Sequence, residues 1–197
     1  MTYFLKSINE SYPNLKKGSN KSVIKALNKQ RDYITHSHKI RGRWENKYLD
    51  IQYVPEVKEV FRIACQTVKN LTGKSVIIPY RGLGLPLDEF WFNIARPGES
   101  TGWHDHKENA IISGVYYFQV PERSGDIFFR KEMSSGRREW SICSQTGKMV
   151  LFDANIEHSV EVNSSNQDRI SLAFNIYTLP LELNNRSDDY STNNFFS

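Results

Sequence analysis

The second half of the chain, from about residue 76, consists of short runs in which apolar and polar residues alternate. Alternation with a period of two predicts strands that bury one face. The runs with this pattern are 75–82, 89–97, 110–120, 126–131, 138–144, 148–154, 157–163 and 168–177. Turn-forming segments such as RPGES, PERSG and SSGR separate them. Many short strands at regular spacing predict a mainly β fold, either a double-sheet jelly roll or another closed β-architecture.

The first 75 residues show a different pattern, because two segments there carry apolar residues at helical spacing. Residues 21–34 and 54–74 are therefore predicted to be helices that pack outside the β-core. In the second segment Pro55 stands at the start and Gly73 at the end, where these residues favour helix boundaries. The predicted organisation is a single domain with a helical N-terminal support region (1–75), a jelly-roll core (76–180) and a polar tail (181–197).

Composition excludes several classes of protein. The chain has 197 residues and a formal net charge of +4, without a basic stripe between aromatic residues, so we do not expect a nucleic-acid partner. Cys65 and Cys143 form no CxxC pair, which argues against a cysteine zinc site or a dithiol redox motif. The N-terminus lacks a signal-peptide pattern, and no apolar run reaches the roughly 18 residues of a membrane helix. We therefore expect a cytoplasmic protein without a membrane partner.

Three of the five histidines lie within the predicted β-core. His104 and His106 are two positions apart, so in a strand both leave from one face while Asp105 leaves from the other. His158 begins another strand that a double-sheet barrel can bring close. Three neutral imidazoles would leave three metal positions open, as in non-haem Fe(II) oxygenases, which usually employ two histidines and a carboxylate. The alternative is a chance pair of polar residues at a strand edge.

An arginine in the last predicted strand adds a second constraint. Arg169 and Ser171 share a face by the same rule, and an arginine in an apolar strand is costly unless it meets an anion. A guanidinium and a hydroxyl suit one carboxylate of a dicarboxylic co-substrate, whose other end would chelate the metal. The alternative is a structural pair between Arg169 and a buried acidic residue.

These elements stand together in two long segments, WFNIARPGESTGWHDHKENAIISGVYYFQVPERSGDIFF and GKMVLFDANIEHSVEVNSSNQDRISLAFNI. Over about residues 88 to 177 the chain resembles the 2-oxoglutarate- and Fe(II)-dependent oxygenases, in particular a subgroup with HxH before SGVYY and a late RISLAFN strand. The resemblance implies a double-stranded β-helix, the cupin-like jelly roll. It implies Fe(II) near His104, His106 and His158, and 2-oxoglutarate anchored by Arg169 with help from Ser171. It also implies that O2 and 2-oxoglutarate yield succinate and CO2 while a substrate C–H bond is hydroxylated.

The sequence departs from the commonest triad of this family, HxD followed by a distant histidine, because His106 stands in the aspartate position. A second register, His106-x-Glu108 with His158, would restore a carboxylate and remains an alternative. With three neutral histidines, Fe(II), 2-oxoglutarate and Arg169 would carry one net positive charge. A buried charge without a partner is expensive, so we predict an acidic neighbour of the ligands. The candidates are Asp105, Glu108 and Asp153.

Two further residues are predicted to contact the co-substrate. Asn93 lies on the strand EFWFNIA, and one of the adjacent residues Tyr116 and Tyr117 faces inward; we assign Tyr116. The substrate itself is expected to be a small molecule, an amino acid or a carrier- or peptide-bound group. The competing interpretations are a three-histidine dioxygenase that does not use 2-oxoglutarate and a non-catalytic cupin-like binding module. Arg169 separates the first of these from the main hypothesis.

Overall fold

The computed structural model describes residues 8–36, 39–40, 43–44, 46–106, 110–134 and 136–181. The described residues contain two α-helices, α1 (Ser19–Lys29) and α2 (Val57–Thr72). Short strands in the N-terminal part are β1 (Asn9–Ser11), β2 (Thr35–His36), β3 (Lys39–Ile40), β4 (Arg43–Trp44), β5 (Lys47–Tyr48) and β6 (Val76–Ile77). The core strands are β7 (Phe90–Ala95), β8 (Thr101–His104), β9 (Ile112–Gln119), β10 (Ile127–Met133), β11 (Gly136–Ile142), β12 (Met149–Asp153), β13 (Glu157–Val160) and β14 (Arg169–Thr178).

The core strands form two antiparallel sheets. The larger sheet has the order β1-β12-β9-β14-β7-β5-β2, and β6 pairs with one end of β14. The smaller sheet has the order β11-β10-β13-β8. Four strands that are distant in sequence are central to the larger sheet, which is the crossing pattern of a double-sheet jelly roll. The predicted mainly β, jelly-roll fold is confirmed.

The side chains of β14, a central strand of the larger sheet, alternate between the two faces of that sheet. One face meets the helices, and the other faces the smaller sheet. On β14 the residues Ile170, Leu172, Phe174 and Ile176 belong to the apolar core, which also contains the buried faces of both helices. The residues between them point the other way, because successive side chains of a strand leave from opposite faces. The helices thus cover one face of the larger sheet, and its other face is available to a ligand.

Helix α2 owes its position to one apolar stripe. Its residues Val57, Val60, Ala64 and Val68 are fully buried, and the helix ends at Gly73, which has the left-handed backbone that favours glycine. Helix α1 begins at Ser19, two residues before the predicted start at 21. It is shorter than predicted because it gives way to a 3-10 turn beyond Lys29. No helix among the described residues is long and apolar enough to cross a membrane.

The N-terminal region contributes more than helices. Strand β1 pairs with β12, and β5 pairs with β7, so both extend the larger sheet. The predicted N-terminal support region and the predicted jelly-roll core therefore share one sheet. Almost all of the predicted polar tail, residues 182–197, lies outside the described residues.

Gly114 leaves room beside the backbone of β9 for the ring of Phe174, and its replacement tests the packing. A Cβ atom there would lie 2.3 Å from the ring of Phe174 and 2.9 Å from Leu151. We expect Gly114→Ala to lower the free energy of unfolding by about 1–3 kcal/mol through overpacking. Urea denaturation measures the change. Gly102→Ala is the matched control, because a Cβ at Gly102 meets nothing within 4 Å; equal losses in both variants would contradict the packing described here.

Candidate active site

A cavity of about 840 Å³ lies between the two sheets. Its lining comes from both sheets and brings together the residues to which the sequence directs attention. Those lining residues are Asn93, His104, His106, His158, Arg169 and Ser171. Five of them are on strands, and rigid strands hold side chains more precisely than loops do. One cavity therefore contains the predicted metal ligands and the predicted co-substrate anchor.

The three histidines form a compact cluster at this cavity. One nitrogen from each of His104, His106 and His158 lies within 4.8 Å of those of the other two. The ring centroids are 4.2 Å apart for His104 and His158, and 5.3 Å for each of the other two pairs. His158 stands directly opposite His104 in the pairing of β13 with β8. The spacing allows a single ion to reach all three nitrogens.

The backbone places His106 in a different way from the predicted continuous strand. Strand β8 ends at His104, and His106 lies two residues beyond that end. The backbone N–H of His106 donates to the carbonyl of Ala154 at 3.0 Å, which holds the segment beside the end of β12. The ring of Trp91 packs on the imidazole of His106, with 5.5 Å between centroids. The two histidines consequently meet in the cavity even though they do not share one regular strand.

Hydrogen bonds to the backbone orient two of the imidazoles. Nδ1 of His104 lies 2.9 Å from the carbonyl oxygen of Gly102, and Nδ1 of His158 lies 3.1 Å from that of Ile156. A carbonyl oxygen only accepts, so each Nδ1 carries the hydrogen and each Nε2 keeps a lone pair. Second partners of this kind fix the tautomer that binds metal.

Burial lowers the pKa of two of the three imidazoles. Burial lowers the pKa of His106 to about 3, and the neighbouring His104 makes a smaller contribution in the same direction. Burial, together with His104 and His106, holds the pKa of His158 well below its ordinary value. Neutral imidazoles are the form that coordinates a divalent ion, and imidazole is a suitable ligand for iron. The donor set thus fits the metal that the sequence resemblance implies.

Arg169 is 3% exposed and lies at the first residue of β14. Its Nη1 donates hydrogen bonds to the backbone carbonyls of Ser124, Gly125 and Glu161. Gly125 makes this position possible: its φ is +92°, and a Cβ atom there would lie 3.0 Å from Nη1 of Arg169. These three partners of Nη1 are backbone carbonyls. A buried positive charge of this kind suits an anionic ligand.

Among the residues predicted to contact the co-substrate beside Arg169, Ser171 and Asn93 line the cavity and Tyr116 does not. Ser171 stands opposite Asn93 and Tyr117 in the sheet, and all three line the cavity. Tyr116 instead faces the helices, where its hydroxyl donates to Asn20 at 2.9 Å. Tyr117, and not Tyr116, therefore lines the cavity, which corrects the placement of Tyr116 beside the co-substrate. Burial raises the pKa of Tyr117 to about 12, which keeps its hydroxyl protonated as a donor.

The acidic neighbours that we expect for the histidines stay predictions. The partners of Nδ1 on His104 and His158 are backbone carbonyls, so Asp105 and Asp153 do not occupy those positions. Glu108, both as a neighbour and as an alternative ligand, lies outside the described residues. Glu99, which the sequence analysis did not select, supplies the carboxylate among the described lining residues. Its Oε2 accepts a hydrogen bond from the backbone of Arg96 at 2.8 Å.

An ion pair supports the two ligand strands. Arg130 on β10 binds Glu157 in a bidentate manner, with N–O distances of 2.9 and 2.8 Å. Its guanidinium also lies 4.4 Å from the ring centroid of Trp103. Glu157 precedes His158, and Trp103 precedes His104. Arg130 thus ties together the residues next to two of the three histidines, a contact that no local sequence pattern announces.

Fold and site together define a jelly-roll protein with a three-histidine centre of the kind that holds a divalent metal. Comparison with known sequences agrees, since residues 89–175 match the family model for 2OG-Fe(II) oxygenases. Over these residues the chain is similar to the 2OG-Fe(II) oxygenase family, whose members are enzymes that employ Fe(II) and 2-oxoglutarate. No curated protein matches the chain.

Solved structures with the same fold include several enzymes of this kind. A prolyl-4-hydroxylase from Pseudomonas putida is 16% identical with a TM-score of 0.61, over 87% of this chain and 92% of that one. A prolyl hydroxylase from Trichoplax adhaerens, in complex with a peptide fragment of hypoxia-inducible factor, is 11% identical with a TM-score of 0.65, over 88% and 84% of the chains. The epimerase SnoN from nogalamycin biosynthesis, in complex with Fe3+, alpha-ketoglutarate and nogalamycin RO, is 11% identical with a TM-score of 0.65, over 87% and 78%. At these identities the likeness concerns the fold.

Removal of one buried imidazole tests the metal centre. We expect His158→Ala to weaken Fe(II) binding by at least about 100-fold. Removal of a metal ligand lowers metal affinity more than removal of a residue that only hydrogen-bonds to a ligand. Metal analysis after anaerobic reconstitution and desalting measures the retained iron. His36→Ala replaces an exposed histidine elsewhere and should bind iron as the wild type does. Equal iron in the wild type and His158→Ala would refute the site.

A second substitution tests whether His106 occupies the usual carboxylate position. His106→Asp should keep Fe(II) affinity within about tenfold of the wild type, since a carboxylate at this place recreates the common donor set. His106→Ala serves as the comparison and should lose the metal. The result that would favour the other register is loss of iron in Glu108→Ala with retention in His104→Ala.

Proposed function

We propose that this enzyme hydroxylates a C–H bond of a small molecule, an amino acid or a carrier- or peptide-bound group, with 2-oxoglutarate as co-substrate. One observation carries the proposal: three imidazoles and a buried arginine line the same cavity. The imidazoles suit a metal ion, and the arginine suits the distant carboxylate of a dicarboxylic acid.

The proposed roles divide the site between the two sheets. His104, His106 and His158 would hold Fe(II) through the nitrogens that face the cavity. Arg169 would bind the distal carboxylate of 2-oxoglutarate from the first residue of β14. When bound, Fe(II) and 2-oxoglutarate supply the oxidising chemistry, in which O2, 2-oxoglutarate and the C–H bond yield succinate, CO2 and a C–OH group.

The remaining residues of this chain bind and orient the co-substrate. Ser171 and Tyr117 stand opposite each other between β14 and β9, one row away from Arg169. Both carry hydroxyl groups, and the raised pKa of Tyr117 preserves its proton for donation to a carboxylate. Asn93 stands opposite Ser171 on β7 and adds an amide. Together with Arg169, these groups form a polar pocket for one carboxylate.

The size of the cavity supports a compact substrate. A volume of about 840 Å³ lies in the range of small-molecule sites, and part of it would be taken by 2-oxoglutarate. Trp91, Val115 and Phe152 provide apolar walls near the histidines. The similar structures bind a peptide fragment and nogalamycin RO, which supports a small molecule or an exposed peptide group for this enzyme.

Arg169→Ala tests the use of 2-oxoglutarate. Loss of a buried partner for a carboxylate should weaken 2-oxoglutarate binding by at least about 30-fold, whereas Fe(II) affinity stays within about threefold. Anaerobic titration of 2-oxoglutarate into the iron-loaded protein measures the first value, and metal analysis the second. Arg62→Ala, an exposed change on α2, is the control.

Two outcomes would contradict the proposal. Unchanged 2-oxoglutarate affinity in Arg169→Ala would favour a three-histidine dioxygenase that does not employ this co-substrate. Absence of succinate from the wild type across a panel of amino acids, peptides and metabolites would favour a non-catalytic binding module. Iron-dependent succinate formation with one member of the panel is the expected result.

A further inference from the structure

A chain of buried hydrogen bonds ends at the cavity on the side opposite Arg169. The hydroxyl of Ser113 on β9 donates to Oδ1 of Asn175 on β14 at 2.9 Å. Nδ2 of Asn175 donates in turn to Oε2 of Glu89 at 2.9 Å. The exposed fractions are 3%, 5% and 7% for Ser113, Asn175 and Glu89. Ser113 and Asn175 line the cavity, whereas Glu89 lies behind them.

The carboxylate at the end of the chain sets the direction of every hydrogen bond in it. Glu89 takes side-chain hydrogen bonds from Asn175 and Tyr177, so it acts as an acceptor on both sides. An acceptor at this place turns the NH2 of the Asn175 amide towards Glu89 and its oxygen towards Ser113. The oxygen of Asn175 then requires the hydrogen of the Ser113 hydroxyl. Ser113 consequently presents lone pairs to the cavity.

The strand register places the hydroxyl of Ser113 next to the histidines. Asn175 lies six residues beyond Arg169 on β14, a separation of about 20 Å in an extended strand. Phe152 stands directly opposite Ser113, and its ring lies 4.8 Å from that of His158. Trp91, in the preceding row of the sheet, packs on His106. The co-substrate would extend from the histidines towards Arg169, so the Ser113 end is left to the substrate.

We infer that Ser113 is a substrate-binding residue that accepts a hydrogen bond from a hydroxyl or ammonium group, with Asn175 and Glu89 as positioning residues behind it. The inference rests on the proposed function and narrows its substrate class. The substrate has an apolar body, which contacts Trp91, Val115 and Phe152, and a donor group directed at Ser113.

The chemistry of a buried acceptor gives this subsite its selectivity. A ligand with a hydrogen-bond donor satisfies the lone pairs of Ser113. An ether or carboxylate at the same place brings its oxygen against the Ser113 oxygen, and neither oxygen then supplies a hydrogen. The negative charge of Glu89 further favours an ammonium group over a neutral hydroxyl. The two polar ends of the cavity would thus recognise opposite groups, an anion at Arg169 and a donor at Ser113.

Binding of three probes of similar size tests the inference on metal-free protein, so that no probe is held by iron. The probes are benzylamine, benzyl alcohol and benzyl methyl ether, of which the ether alone has no donor. Ligand-observed NMR and quenching of tryptophan fluorescence give their dissociation constants. We expect the wild type to bind the amine and the alcohol at least about tenfold more tightly than the ether, equivalent to about 1.4 kcal/mol.

The variants separate binding from folding. Ser113→Ala should reduce the preference for donors to within about twofold, and Ser113→Thr, which keeps the hydroxyl, should restore it. Ser141→Ala, an exposed change on β11, is the control and should behave as the wild type does. Circular dichroism confirms the fold of each variant. Equal binding of ether and alcohol by the wild type, or a preserved preference in Ser113→Ala, would overturn the inference.

A final measurement distinguishes this inference from the proposed function. Iron-loaded Ser113→Ala should bind 2-oxoglutarate as tightly as the wild type does, because Ser113 lies away from Arg169. If the wild type binds 2-oxoglutarate and Ser113→Ala does not, the substrate role of Ser113 is overturned. The proposal that 2-oxoglutarate is the co-substrate still holds in that case. Failure of the wild type to bind 2-oxoglutarate would instead overturn the proposed function.

Discussion

The cross-strand pair of His104 and His158 is the constraint on which the site depends. Pairing of β13 with β8 sets these residues directly opposite each other, with 4.2 Å between ring centroids. Backbone carbonyls orient both rings, and Arg130 links the residues that precede them. His106 joins them from beyond the end of β8 through one backbone hydrogen bond to Ala154. A small shift of either strand would separate the ring nitrogens of His104 and His158.

Charge is the second constraint, because three neutral histidine ligands would leave Fe(II), 2-oxoglutarate and Arg169 with one positive charge in excess. A buried excess charge is costly, and two carboxylates lie at or behind the cavity. Glu99 lines the cavity, and Glu89 reaches it through Asn175. Burial raises the pKa of Glu89, while hydrogen bonds from Asn175 and Tyr177 act in the opposite direction. A positive centre would help keep this carboxylate ionised.

Period-two alternation explains what sequence reasoning could reach. It predicted the strands of the core and placed Arg169 and Ser171 on one face, because strand geometry depends only on neighbours in the chain. It could not decide between Tyr116 and Tyr117, since the choice depends on which face of β9 the helices cover. It also could not find the Ser113–Asn175–Glu89 chain, whose members meet only through the register of β7, β9 and β14. Cross-strand register is a tertiary property, and local pattern does not encode it.

The most direct test of the central claim is an anaerobic crystal structure with Fe(II) and 2-oxoglutarate, in which anomalous scattering locates the iron. The account predicts iron bound by nitrogens of His104, His106 and His158, with the distal carboxylate of 2-oxoglutarate at Arg169. Iron bound through Glu108 without His104, or 2-oxoglutarate bound away from Arg169, would contradict it.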